Sequence, residues 1–117
     1  MDDRRKFPRF AIELDAQYTT EKGKSGPCKL TDISREGTRI ELFSIERLDI
    51  GTGIKLEISA PNKTQPIASD VIVMWSKELE GDTEFNFCAG GLLSKIRPED
   101  KDHLLDLAYA IFRENKG

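Results

Sequence analysis

The chain has few of the residues from which catalytic and metal sites are built. Among its 117 residues there are one histidine and two cysteines, and Cys28 and Cys88 stand far apart without a CxxC spacing. These residues do not form the closely spaced ligand pairs of a zinc site. We therefore expect no metal site and no metal cofactor, and we interpret both cysteines as small buried hydrophobic residues.

Catalytic motifs are missing as well. A Ser-His-Asp arrangement would need His103, on a predicted helix, to contact Ser34. The sequence around these two residues contains no motif of such a catalytic site. Gly-Lys-Ser at residues 23–25 is similar to the end of a phosphate-binding loop, but Tyr18 stands where that motif requires glycine. We interpret the many carboxylates as solvated surface residues without a catalytic role. We predict that the protein is not an enzyme.

Long apolar stretches and an excess of positive charge are also absent. No apolar run approaches the roughly 20 residues needed to cross a bilayer, and residues 1–10 are charged where a signal peptide needs an apolar segment. The sequence therefore predicts a cytoplasmic protein without membrane insertion. Its net charge of −3 argues against broad nucleic-acid binding, because proteins that bind polyanions usually carry a net basic face.

The sequence does contain a succession of short segments with β-strand periodicity. Residues 10–18 alternate between apolar and polar side chains, as a half-buried strand does. Similar segments follow at residues 28–33, 38–43, 54–58, 66–75 and 85–89. No segment of helical period interrupts these six predicted strands. The sheet should therefore be antiparallel, and a six-stranded antiparallel β-barrel is its simplest closure.

A single helix is predicted at the end of the chain, over residues 98 to about 115. Pro98 suits a first helical turn, and the acidic residues after it favour the positive end of the helix dipole. The apolar stripe that should lie across the barrel consists of Leu104, Leu107, Ala108 and Ile111. The predicted fold class is all-β with one terminal helix, in a single domain over residues 10–117. A flexible arm over residues 1–9 precedes this domain.

Two polar motifs stand out from this pattern. The arm contains Arg4, Arg5 and Arg9. An arginine can bind guanine O6 and N7, or phosphate oxygens, through two parallel hydrogen bonds. The hexapeptide DISREG at residues 32–37 lies between two predicted strands. Its short polar side chains can bond the local backbone, and Gly37 can adopt a positive φ. Taken separately, the arm is equally a solubilising tail, and the hexapeptide suggests a site, with a plain hairpin loop as its other interpretation.

Together the two motifs resemble the signature of the PilZ domain family. Residues 5–9, RKFPR, match its RxxxR motif, and residues 32–37 match its [D/N]xSxxG motif, in the same order and spacing. The resemblance continues through the strand that ends at Trp75 to the closing helix, and so covers essentially the whole chain. It implies a six-stranded antiparallel barrel with a C-terminal helix. It also implies a bacterial receptor for the second messenger cyclic di-GMP.

The resemblance implies a role for each motif residue. Arg5 and Arg9 would hold guanine edges and phosphates. Asp32 and Ser34 would hydrogen-bond a guanine edge, and Gly37 would let the ligand approach the backbone.

The number of ligands is suggested by Arg4, which directly precedes the first motif arginine. In the family an arginine there tends to accompany an intercalated pair of ligands, so two cyclic di-GMP molecules per chain are expected. Glu36 departs from the commonest family form, in which a second glycine is frequent. Its carboxylate adds negative charge near a ligand that is a dianion.

Two further residues are open to more than one interpretation. Arg39 is either a strand-surface residue or an additional phosphate contact. Trp75 is either barrel core, the interpretation that we favour, or a secondary contact that stacks near the ligand.

The sequence thus predicts a cyclic di-GMP receptor and adaptor. In this hypothesis the ligand bridges the arginine arm to the hexapeptide, orders the arm over the barrel and signals to an unidentified downstream protein. Since the motif begins close to Met1 and the helix ends the chain, output is expected through a partner or through self-association. The receptor would be a monomer or a weak homodimer, with no cofactor besides its ligand.

Two alternatives remain. One is a degenerate PilZ-like adaptor that binds other proteins and no nucleotide, although the motif residues are present here. The other is a small barrel that binds single-stranded nucleic acid through aromatic side chains, which the net acidity opposes.

Overall fold

Six β-strands and one C-terminal helix make up the described part of the chain, residues 8–44, 47–81 and 84–116 of this computed structural model. In chain order they are β1 Phe10–Thr20, β2 Ser25–Ile33, β3 Gly37–Leu42, β4 Gly53–Ile58, β5 Ile67–Glu78, β6 Phe87–Ile96 and α1 Pro98–Lys116. Residues 1–7, and with them most of the predicted arm, lie outside the described residues. The predicted fold class, an all-β domain with one terminal helix, is confirmed.

The six strands close into an antiparallel barrel, as predicted. Their order around the barrel is β1-β2-β3-β6-β5-β4, and each neighbouring pair is antiparallel. Closure pairs both edges of the sheet, so none of the described strands presents a long open edge to another molecule.

The last strand differs from its predicted extent. β6 begins at Phe87 and continues to Ile96, whereas the sequence pattern indicated residues 85–89. Gly90 and Gly91 interrupt the apolar alternation, because neither has a side chain, yet both are paired with β3. The period-of-two pattern therefore stops at Gly90 although the strand continues.

Apolar side chains that point inward fill the barrel. In β1 the buried residues are Ile12, Leu14, Ala16 and Tyr18, and each side chain between them is exposed. Each fully buried aliphatic side chain contributes about 1.5–3 kcal/mol relative to exposure. Cys28 and Cys88 are free and buried, as the sequence predicted, and burial raises the pKa of the Cys28 thiol to about 12.

The first half of α1 seals the barrel. Leu104 and Ala108 are fully buried, and Leu105 and Leu107 pack against the same core. Ile111, the last member of the predicted stripe, remains 39% exposed. The buried stripe therefore ends one turn earlier than predicted.

The second half of α1 is held by an aromatic cluster instead. The ring of Phe10, at the start of β1, lies 5.9 Å from the ring of Tyr109 and 5.6 Å from that of Phe112. Both contacts are edge-on, the arrangement that aromatic pairs prefer. β1 is thereby joined to the end of the helix. Within the described residues, α1 is not apolar enough to span a membrane.

Candidate functional site

The hexapeptide at residues 32–37 forms the tight turn between β2 and β3. The N–H of Ser34 donates to the carbonyl oxygen of Gly37 at 2.9 Å. The Oγ of Ser34 accepts from the N–H of Glu36 at 3.3 Å and from that of Gly37 at 3.1 Å. Thr38 Oγ1 donates to the carbonyl oxygen of Asp32 at 2.6 Å. Ser34, which is only 5% exposed, therefore stabilises the turn from inside.

Gly37 is required by close packing rather than by a left-handed backbone. It is not among the residues with positive φ, so the conformational freedom expected from the sequence is not used. A Cβ at this position would lie 2.6 Å from the carbonyl oxygen of Gly91 on β6. The carbonyl oxygen of Glu36 also accepts from the N–H of Leu93 at 2.8 Å. The turn is therefore fixed against β6.

The described end of the arm meets this turn. Arg9 Nη1 lies 3.6 Å from Asp32 Oδ2, with the two side chains 27% and 21% exposed. The pairing of Ala11 with Asp32 in β1 and β2 brings them together. One residue from each predicted motif is therefore in contact before any ligand is bound. Arg4 and Arg5 lie outside the described residues.

A row of paired residues runs from the turn across the outer wall of the barrel. Asp32 pairs with Arg39 on β3, Arg39 with Gly90 on β6, and Gly90 with Trp75 on β5. Directly opposed residues of antiparallel strands have Cβ positions about 5 Å apart on the same face. Asp32, Arg39 and Trp75 therefore share one outer face, with the side-chain-free Gly90 between the last two.

Trp75 lies on this outer face and not in the core that the sequence favoured. It is half-buried and is not part of the hydrophobic core cluster. A Cβ at Gly90 would lie 2.2 Å from Trp75 Nε1, so the indole covers the glycine. The core interpretation is wrong because the register of β5 shifts between Val73 and Trp75. This bulge at Met74 reverses the inside–outside alternation after Val73.

Within the part of the chain that the structure describes, two buried polar atoms in the row have no hydrogen-bond partner: Asp32 Oδ1 and Arg39 Nε. Leaving a buried donor or acceptor unpaired costs about 1–3 kcal/mol. Among the described residues, the guanidinium of Arg39 has a long ion pair, from Nη2 to Glu41 Oε2 at 3.8 Å. The row therefore places a buried acceptor and a buried donor, each without a partner among the described residues, on directly paired residues.

Gly90 lies in this row between Arg39 and Trp75 and was not singled out from the sequence. A bulge in β5, between Val73 and Trp75, lies opposite Gly90 and Gly91. The position of Gly90 follows from its pairing with both Arg39 and Trp75. That pairing depends on the strand register, which the sequence pattern does not provide.

The described residues form a closed six-stranded barrel with a polar turn and an arginine against it. The PilZ domain family model matches residues 3–110. The chain therefore belongs to the PilZ domain family, as its motifs indicated, and PilZ domains are ligand-binding adaptors rather than enzymes.

Solved structures share this fold. The inhibitor of motility MotI/DgrA of Bacillus subtilis is 21% identical with a TM-score of 0.73, over 98% of this chain and 53% of that one. The PilZ domain of YcgR from Escherichia coli, solved with c-di-GMP, is 14% identical with a TM-score of 0.74, over 97% and 95%.

A third structure, the K. pneumonia MrkH–c-di-GMP complex, is 16% identical with a TM-score of 0.73, over 99% of this chain and 56% of that one. The chain thus spans about half the length of MotI and MrkH. These identities show the fold alone. No curated protein matches the chain.

Proposed function

We propose that this protein is a cytoplasmic receptor for cyclic di-GMP and acts as an adaptor. The observation that carries the proposal is the contact between Arg9 and Asp32, because each residue belongs to a different motif of the family and the two are distant in sequence. The YcgR PilZ domain and MrkH, both solved with c-di-GMP, support the same ligand for this chain.

The chemistry of the site suits a dianion that carries two guanines. Arg9 supplies a charged fork for phosphate oxygens or for a guanine edge, and Arg5 would do the same. The carboxylate of Asp32 accepts hydrogen bonds and matches the N–H donors of guanine. Ser34 and Gly37 shape the turn that carries Asp32, so a ligand contact by Ser34 would share a hydroxyl already engaged within the turn.

The outer face beside the turn provides secondary contacts. The half-buried indole of Trp75 offers a flat surface on which a purine can stack, and Arg39 adds a cation next to it. Arg4 supports the binding of two intercalated ligands per chain. In this mechanism the ligand replaces the 3.6 Å pair of Arg9 and Asp32 with shorter charge-assisted bonds and draws the preceding arm over the barrel.

Output would then pass to a protein partner. A second candidate function, protein binding without a nucleotide, is favoured by exposed apolar side chains on β5 and β6. Ile72, Met74 and Leu92 are 38%, 47% and 42% exposed, and Leu92 is paired with both Ile72 and Gly37. This apolar surface adjoins the turn.

Calorimetric titration of the full chain with cyclic di-GMP tests the proposal. We expect saturable binding at tens of micromolar or tighter, with two ligands per chain. Arg9→Ala and Asp32→Ala should each weaken binding at least tenfold, which is about 1.4 kcal/mol. Lys55→Ala is the control, because Lys55 is exposed on β4, across the barrel from β3. Absence of heat at these concentrations, or unchanged binding by both site variants, would refute the receptor function.

A further inference from the structure

We infer that two copies of this chain associate through the outer face of β4 and β5 and form a symmetric dimer. The residues that face each other are Gly53 and Lys55 on β4 and Asp70 and Ile72 on β5. The inference gives the exposed apolar surface on β5 and β6 a defined partner, which is a second copy of the chain. It does not depend on the binding of cyclic di-GMP, because none of these four residues belongs to either motif.

The first support is the set of apolar side chains that this wall of the barrel exposes. Ile72 on β5 is 38% exposed, and Leu92, its partner on β6, is 42% exposed. Met74, in the bulge of β5, is 47% exposed. Contiguous exposed apolar groups on a soluble protein mark a surface that contacts another molecule. Because the six described strands close into a barrel, such a contact uses the face of the sheet and not a strand edge.

A groove lies beside these side chains. It has a volume of about 550 Å³, and Gly53, Lys55, Asp70 and Ile72 are among the residues that line it. Gly53 is paired with Ile72 and contributes no side chain to the surface. Glu21 lines the groove as well, and its Oε1 accepts from the N–H of Gly53 at 3.2 Å. An exposed apolar side chain and a groove are therefore next to each other on one face.

The charges next to the groove alternate in sign. Lys55 on β4 is paired with Asp70 on β5, and Asp70 is paired with Lys95 on β6. Lys55 and Lys95 are exposed, and Asp70 is half-buried. Among the described residues, none of these three side chains forms a salt bridge. Their charges are therefore available to a second molecule.

One twofold rotation matches both the apolar and the charged groups. In a symmetric dimer, two residues that meet across the interface meet a second time with their roles exchanged. A twofold axis parallel to the strands and between β4 and β5 sets each residue of one strand against its own cross-strand partner in the second copy. Gly53 is the partner of Ile72, so Ile72 faces the groove beside Gly53 of the second copy. Lys55 is the partner of Asp70, so these opposite charges also face each other.

The size of this face indicates a weak dimer. Three strands about 4.8 Å apart and about 20 Å long cover roughly 300 Å², whereas a standard stable interface covers about 800 Å² on each partner. We therefore expect reversible association with a dissociation constant of about 0.1–1 mM. Sheets that pack face to face keep their strand directions within about 30° of each other, which agrees with an axis parallel to the strands.

Sedimentation equilibrium of the full chain without ligand tests the inference. We expect the average mass to rise from that of one chain towards that of two as the concentration increases through the expected dissociation constant. Asp70→Lys sets like charges against each other in the dimer, and so does Lys55→Asp, so each variant alone should dimerise at least tenfold more weakly. An equimolar mixture of the two variants should associate about as well as the wild-type chain, because every facing pair is then again opposite in charge.

Ile72→Glu tests the apolar contact independently of these charge variants. It places a carboxylate against the groove that Glu21 lines, so dimerisation should weaken at least tenfold. Phe43→Glu is the matched control, because Phe43 is 55% exposed and directly follows β3, away from this face. It should associate as the wild-type chain does. Urea unfolding of each variant checks that the fold is retained.

Three outcomes would overturn the inference. They are a wild-type chain that stays monomeric throughout, a mixture of the charge variants that associates no better than its components, and an Ile72→Glu variant that dimerises as well as Phe43→Glu. All of these measurements are made without nucleotide. Loss of the dimer would therefore leave the receptor function intact, and failure of the cyclic di-GMP titration would leave the dimer intact.

Discussion

At the scale of single residues, the turn at residues 32–37 depends on a close approach of two backbones. Gly37 lies against the carbonyl oxygen of Gly91, and backbone atoms in paired strands cannot move aside as a side chain can. The same turn is stabilised from inside by the hydroxyl of Ser34. A substitution at Gly37 should therefore act on stability before it acts on any ligand.

We predict that Gly37→Ala destabilises the domain by at least about 2 kcal/mol, since overpacking against rigid backbone displaces β3 from β6. Gly26→Ala is the control: its Cβ would lie 3.3 Å from a side-chain atom, Cε1 of Tyr18, which can shift. Urea unfolding measures both. Equal midpoints for the two variants would show that the close approach to Gly91 does not limit this position.

The residue scale also shows what a sequence can and cannot predict about this site. The residue types of Asp32, Ser34 and Gly37 predicted a polar turn, whereas their assignment to a ligand site came from the resemblance to the PilZ domain family. Trp75 was misplaced because one extra residue, Met74, reverses the alternation on which the core interpretation depended. Gly90 was missed because its importance comes from its cross-strand neighbours, which local sequence does not specify.

At the scale of elements, β1 links the candidate site to the helix. Arg9, directly before the strand, contacts Asp32, and Phe10, its first residue, contacts Tyr109 and Phe112 of α1. The helix itself was predictable from Pro98 and its apolar stripe. The aromatic cluster was not, because it joins Phe10 to residues about a hundred positions later in the sequence.

We expect Phe10→Ala to cost about 2 kcal/mol of stability, less than the roughly 3–5 kcal/mol of a fully buried phenylalanine, because Phe10 is only partly buried. Amide hydrogen exchange should accelerate chiefly in the second half of α1, where Tyr109 and Phe112 lose their contacts with Phe10. Phe43→Ala, at a position that is 55% exposed, should have little effect on either measurement. Unchanged exchange in Phe10→Ala would show that the cluster does not hold the helix end.

At the scale of the whole molecule, charge distinguishes a local site from a general affinity. The chain carries a net charge of −3, so its overall field repels a dianionic ligand. Binding must then come from arginines close to the ligand. Added salt screens both the local attraction and the long-range repulsion. Screening of the attraction lowers the affinity, whereas screening of the repulsion raises it.

We predict that the affinity for cyclic di-GMP falls as salt rises, because contacts at Arg9 outweigh the net repulsion. Titrations across ionic strengths between about 0.05 and 0.5 M, where the Debye length falls from over 10 Å to about 4 Å, measure the effect. Affinity that increases with salt would mean that the arginines do not supply the attraction.

Removing the negative charge of Glu36 is the complementary test. It is exposed in the turn, where the resemblance to the family led us to expect that its carboxylate opposes a dianion. Glu36→Gln should therefore strengthen binding by about two- to threefold at low salt, and the gain should vanish at high salt. Glu57→Gln, which removes an exposed carboxylate from β4, changes the net charge equally but lies across the barrel. Equal gains in the two variants would show that only net charge matters, whereas a gain confined to Glu36→Gln would place the ligand beside the turn.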